Sequence, residues 1–106
     1  MDAALKAIAE PRRRQILALV RAEELSAGEI AAQFDISRPA ISQHLTVLKE
    51  AGLVRERREG TRRLYRAVPQ ALGELRRFLE DFWDERLATL KHEAERKERS
   101  KHGYRR

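Results

Sequence analysis

Residues 37–48 read SRPAISQHLTVL, and the whole chain is best read outward from this run. Ser37 suits a helix N-cap, because its hydroxyl can accept from a free backbone N–H of the first turn. Pro39 falls within that turn, where its missing N–H costs little. Ile41, Leu45 and Leu48 recur at i, i+4 and i+7, which predicts one apolar face. Arg38, Ser42, Gln43 and Thr46 point elsewhere, and such side chains read base edges or hold phosphates. A helix with donors along one side and an apolar dock along another meets the needs of major-groove reading.

On the C-terminal side, Gly52 can end this helix as a left-handed cap, with Leu53 packing back. Residues 53–58 and 62–68 then read as two strands around Glu59, Gly60 and Thr61, a hairpin with glycine at its tip. Its alternation is weak and leaves open which of Leu64 and Tyr65 faces inward. After Pro69 a long helix is expected over residues 72–97, with Leu75, Leu79, Phe82, Leu87 and Leu90 near one side. A basic, flexible tail is expected over residues 98–106, leaving residues 1–97 as the folded domain.

On the N-terminal side, a short helix is expected over residues 3–10, with Leu5 and Ile8 as its apolar contacts. Pro11 opens a second helix to about Ala22, burying Ile16, Leu17 and Val20. Ser26 and Glu29 fit a capping box that opens a third helix over residues 27–34. Ile30, Ala31 and Phe34 should face inward there. Asp35 and Ile36 make the tight turn, and Asp35 stands where a residue tolerant of left-handed backbone is useful. The third and fourth helices together read as a helix-turn-helix.

The composition agrees with an anionic partner. The 106 residues make one modest domain with a net charge of +6, and charged residues are 38% of the chain. Arg55, Arg57, Arg58, Arg62, Arg63 and Arg66 crowd into one segment. So small a chain buries a small core, which makes support from a second subunit unsurprising. The absence of cysteine excludes disulfides and thiolate metal sites. The opening MDAALKAIAEP lacks the basic start and apolar run of a signal peptide, and no stretch approaches a membrane-spanning length. A cytoplasmic protein with no membrane partner is expected.

A hairpin placed directly after a reading helix can lay Arg62 or Arg63 along the DNA backbone or into the adjacent minor groove. With that pairing in view, the chain resembles the arsenic-repressor (ArsR) family of winged-helix repressors over roughly residues 3–92. The likeness rests on EPRRRQIL, on ELSAGEIAAQFDISRPAISQHLTVLKEAGLV and on EGTRRLYRA. It implies a mainly α fold with a small β-hairpin, a winged helix-turn-helix of four helices, a hairpin and a fifth helix. It also implies a homodimer through the terminal helices, binding a double-stranded DNA operator.

Carried over residue by residue, the resemblance makes Ser37, Arg38, Pro39, Ser42, Gln43 and His44 the DNA-facing part of the reading helix. Arg38 and Gln43 are the base-contact candidates, because bidentate Arg–guanine and Gln–adenine pairs each discriminate by about 1–3 kcal/mol. Ser37, Thr46 and Lys49 are assigned to phosphates. His44 stays open between a DNA contact and a hydrogen bond within the fold. For the dimer interface the candidates are Leu5, Ile8, Leu75, Leu79, Phe82, Trp83, Leu87 and Leu90. The last helix carries more large apolar side chains, Phe78 among them, than one small domain needs to cover.

Many family members sense metals, and this sequence argues against that role. The thiol-bearing site would fall near residues 24–28, where no cysteine stands. A last-helix site would need Asp-x-His ahead of His-x-x-Glu. His92 and Glu95 supply the second half, but Leu79 and Asp81 occupy the first, which removes an oxygen ligand. No metal or other cofactor is expected, and a metal-responsive repressor is the alternative reading. A winged-helix module that binds protein is another. The FWDERL run over residues 82–87 resembles members that lack metal ligands. Enzymatic readings fail, since no nucleophile–base pair, phosphate-cradling loop or paired carboxylates can be found. No convergent polar pocket for a small-molecule effector can be read.

Overall fold

In a computed structural model the backbone is described for residues 1–105 and the side chains for residues 1–97. The expected basic tail over 98–106 therefore lies outside the residues described in full. The elements run α1 (Asp2–Ala9), α2 (Pro11–Ala22), β1 (Leu25–Ser26), α3 (Ala27–Ala31), α4 (Arg38–Glu50), β2 (Val54–Glu59), β3 (Arg62–Ala67) and α5 (Pro69–Arg105). The chain divides into two compact units, Met1–Leu75 and Arg76–Arg106, so the break falls inside α5.

Local chemistry accounts for most boundaries in the first unit. Glu10 caps α2 by accepting from the Arg13 backbone N–H, with Pro11 at the first helical position. The capping box forms as expected: Ser26 Oγ accepts from Glu29 N at 3.1 Å, and Glu29 Oε1 accepts from Ser26 N at 2.9 Å. Ser37 Oγ accepts from Ala40 N at 3.3 Å and starts α4. That helix ends in a Schellman motif, with Leu53 N donating to Leu48 O and Gly52 N to Lys49 O. Gly52 has φ +77°, and Leu48 and Leu53 are both buried beside this turn.

The end of α1 is closed from outside the helix. Its last four carbonyls, on Lys6, Ala7, Ile8 and Ala9, lack intrahelical donors. Arg13 donates to the first two, at 3.3 and 2.6 Å, and Arg14 to the other two, at 2.7 and 3.3 Å. Two guanidinium groups at a helix C-terminus also oppose its dipole favourably. Arg13 and Arg14 thus act in the fold rather than in the basic surface.

One apolar core joins the first four helices, the sheet and the start of α5. Ile16, Val20, Ile30, Ile41, Leu45, Leu48 and Leu53 are its most deeply buried members. The expected stripes on α2 and α4 are the buried ones. On α1, Leu5 and Ile8 are half-buried and pack against the core as expected, but the most deeply buried side chains are Ala4 and Ala7. Small side chains let this short helix sit close against its neighbours.

Four further expectations are revised. α3 stops at Ala31 rather than Phe34, because the chain tightens into i→i+3 bonds from Gln33 N to Ile30 O and from Phe34 N to Ala31 O. Asp35 does not use left-handed backbone; among the described residues only Gly52 and Gly60 have positive φ. The sheet has a third strand, β1, and its antiparallel order is β1-β3-β2. With β3 in the middle, both Leu64 and Tyr65 are buried, which answers the open question of facing with both. The hairpin loop is Gly60-Thr61, since Glu59 still pairs with Arg62. Glycine first with positive φ and threonine second with negative φ fits a type II′ turn.

The second unit is the remainder of α5. Over residues 76–97 every side chain is exposed, including Phe78, Leu79, Phe82, Trp83, Leu87 and Leu90. Arg76 and Glu80 form an i,i+4 ion pair at 2.8 Å.

Candidate nucleic-acid interface

The fold presents α4 with its apolar row sunk in the core, Ala40 and His44 half-buried, and the rest of its circumference in solvent. Ser37, Arg38, Pro39, Ser42, Gln43, Thr46 and Lys49 are all exposed. Spacing sorts them into two adjoining rows: Arg38, Ser42, Thr46 and Lys49 face the wing, and Pro39, Gln43 and Val47 follow around the helix. Val47, 37% exposed, is an apolar member that sequence reading passed over. A valine there can pack on a thymine methyl.

Between α4 and the β2–β3 wing lies a cleft of about 980 Å³. Arg38, Ser42, Thr46 and Lys49 line one wall, and Arg62 and Arg63 line the other. Reading helix and wing thus converge on one concave surface. The Arg38 guanidinium lies over Gly28 of α3, within 3.8–3.9 Å of where a Cβ would sit.

Hydrogen bonds separate the roles of the small side chains. Ser37 Oγ only accepts in its cap, so its own proton is available to a phosphate. Thr46 Oγ1 donates to Ser42 O at 2.9 Å, so its proton is engaged within the helix. His44 is half-buried, and its Nδ1 lies 3.3 Å from Arg13 Nη1. Arginine can only donate, so Nδ1 accepts and the ring is tied into the fold. Arg12, next along α2, lies over the Phe34 ring at 5.7 Å.

Four of the expected basic residues, Lys49, Arg57, Arg62 and Arg63, are paired with carboxylates. Arg62 Nη2 meets Glu29 Oε1 at 2.6 Å. Glu56 lies between Lys49 Nζ at 3.4 Å and Arg63 Nε at 3.8 Å. Arg57 grips Glu24 through two nitrogens and reaches Glu59 at 3.0 Å. The Ser26 backbone N–H, ahead of the Arg62 charge, holds the Glu29 carboxyl below the usual carboxylate range. The Arg57 hydrogen bond does the same for Glu24 and raises Arg57 in return. Burial, then the Glu56 charge, pushes the Tyr65 phenol up. Glu29, Glu56 and Arg13 were not legible as site residues: Arg62 and His44, which pair with Glu29 and Arg13, lie 33 and 31 residues away, and Glu56 meets Lys49 and Arg63 only because the wing folds beside α4.

Of the interface candidates, Leu5 and Ile8 are half-buried in the first unit, and Leu75 is only 6% exposed within the chain's own core. Leu75 therefore offers little surface to a partner. Leu79, Phe82, Trp83, Leu87 and Leu90 are open on the second unit. Among the described residues, no three His, Asp or Glu side chains group as a metal site would require, and no helix is long and apolar enough to cross a membrane.

A tri-helical core, a reading helix with a polar outer face and an arginine-bearing hairpin define a winged helix-turn-helix transcription regulator. A family profile described as "Bacterial regulatory protein, arsR family" matches residues 10–56. An HTH-type transcriptional regulator of Mycobacterium tuberculosis is 45% identical over 86 residues, spanning 81% of this chain and 80% of that protein. The chain belongs to the arsR family. A transcriptional repressor of Bacillus subtilis, SdpR, is 45% identical over 60 residues, covering 57% of this chain and 67% of its own. A homodimeric winged helix-turn-helix DNA-binding domain from Mycobacterium bovis superposes with a TM-score of 0.65 at 36% identity, covering 79% of this chain and 78% of that one.

Proposed function

We propose that this chain is a sequence-specific repressor that binds a roughly palindromic operator as a homodimer. One α4 helix from each subunit enters the major groove, and each wing follows the flanking backbone. The two reading helices then sit about one DNA turn apart, roughly 34 Å. Occupancy of the operator excludes polymerase sterically. The observation that carries this reading is the exposed polar row of α4 facing the arginine wing across one cleft.

The homodimer is supported by the apolar row left open on α5. Phe78, Leu79, Phe82, Trp83, Leu87 and Leu90 share one side of that helix, and each is at least 40% exposed. A contiguous patch of this kind marks an interface. A two-fold partner would cover it and present twin α4 helices to DNA. The repressor named in Bacillus subtilis and the homodimer from Mycobacterium bovis support both halves of the reading. A cytoplasmic location follows from the same role.

Footprinting on DNA upstream of its own gene, combined with sedimentation, tests the proposal. The expected result is a protected, near-symmetric site filled by two copies. A protein that remains monomeric with that DNA, or leaves it unprotected, would overturn it.

A further inference from the structure

We propose that Glu29 and Glu56 are resident stand-ins for DNA phosphate, occupying the cations that a duplex must take over and so setting affinity for DNA of any sequence. This rests on the DNA-binding reading above and extends it to two acidic residues that contact no base in that reading. Three of the cations assigned to DNA, Lys49, Arg62 and Arg63, each hold a carboxylate within 4 Å in the free protein.

The geometry makes the substitution chemically apt. Glu56 stands on β2 opposite Tyr65, its side chain only 17% exposed, and it reaches Lys49 from α4 and Arg63 from β3. One anion between the two walls is the arrangement a backbone phosphate would adopt there. Carboxylate and phosphate oxygens accept from the same guanidinium and ammonium donors. Glu29 is held more firmly. Its Oε1 accepts from Ser26 N at 2.9 Å while meeting Arg62 Nη2 at 2.6 Å, so the capping box pins the carboxylate in the cleft.

DNA entering the cleft must either exchange these pairs, leaving two carboxylates uncompensated beside it, or leave them intact and forgo their cations. Each course opposes binding, and neither involves a base edge. The opposition therefore falls equally on all sequences. It also reduces the net counterion release, because each freed carboxylate gathers cations as the phosphates shed theirs. Weakening the sequence-independent term limits occupancy of the many non-operator sites without altering base discrimination.

Glu56→Gln and Glu29→Gln test this by anisotropy on a labelled random-sequence duplex of about three helical turns, titrated across a salt series. Glutamine at the third helical position still serves a capping box, so Glu29→Gln removes the charge and spares the cap. Glu80→Gln makes the same charge change at an ion pair that does not line the cleft. Each cleft variant should bind about 3–10-fold tighter and steepen the log–log salt slope by up to about 1, whereas Glu80→Gln should shift binding less than about 2-fold. Unchanged or weaker binding by folded cleft variants, or gains equal to that of Glu80→Gln, would overturn the inference while leaving DNA binding intact. No binding by wild type and variants alike would overturn both.

Discussion

Arg13 reaches His44 at 3.3 Å with one guanidinium nitrogen while its Nε holds the Ala7 carbonyl at 2.6 Å. One side chain of α2 thereby closes the end of α1 and fixes a ring on the reading helix. Replacing Arg13 with Ala removes all three bonds and leaves the Lys6 and Ala7 carbonyls without their donor. Bonds to charged groups contribute about 1.5–3 kcal/mol each at most, so Arg13→Ala should lower stability in urea by about 2 kcal/mol. His44→Ala removes only one of the three and should cost under about 1 kcal/mol, with little change in operator affinity. A large affinity loss from His44→Ala at unchanged stability would show that the ring contacts DNA.

Arg38 and Arg62 sit on opposite walls of one cleft but should fail differently. As a base reader at the start of α4, Arg38 mutated to Ala should relax preference at one operator position by about 1–3 kcal/mol. Arg62→Ala should weaken all sequences alike and flatten the salt slope. Selectivity unchanged in the first variant, or lost position by position in the second, would refute the assignments.

Trp83 and Phe82 are 59% and 52% exposed on α5. The double substitution Phe82→Asp with Trp83→Asp should yield a monomer by sedimentation. Losing one of two linked reading helices should then reduce operator affinity by about 100-fold or more. A persistent dimer would place the interface elsewhere.

The Glu24–Arg57 pair ties the wing to the segment before β1, and its stability effect has a definite pH window. The folded carboxyl lies below its ordinary range, so the contribution is present above that range and is lost as pH falls through the folded value. Thermal unfolding should therefore show Glu24→Gln less stable than wild type near neutrality, with the gap closing below about pH 4. A gap that is constant or widens on acidification would contradict this.

Gly52 and Gly28 separate backbone strain from crowding. At Gly52 a Cβ meets nothing within 4 Å, yet φ is +77°, so Gly52→Ala should cost about 1–2 kcal/mol from conformation alone. At Gly28 a Cβ would make ordinary contact with the Arg38 guanidinium, and Gly28→Ala should be neutral or stabilising by up to about 1 kcal/mol. Equal losses at both sites, measured by denaturation, would refute the distinction.

Ser37, Gly52, the Ser26–Glu29 box and the α4 stripe were legible in the chain because each depends on residues within a few positions of one another. Period, cap and turn chemistry are local, so they placed the reading helix and the wing without coordinates. What escaped was non-local. β1 is two residues whose strand character exists only through pairing with Leu64 and Tyr65. α1 turned its alanines inward because close packing favoured small side chains over large ones. Leu75 was drawn into the chain's own core, while the apolar side chains further along α5 stayed open. The arginines were visible as charge, but only tertiary structure showed which cap a helix, which grip a glutamate and which face the cleft. The physical reason is that a side chain's role follows from the nearest oppositely charged or polar group, and Arg57–Glu24 and Arg62–Glu29 are each 33 residues apart in sequence.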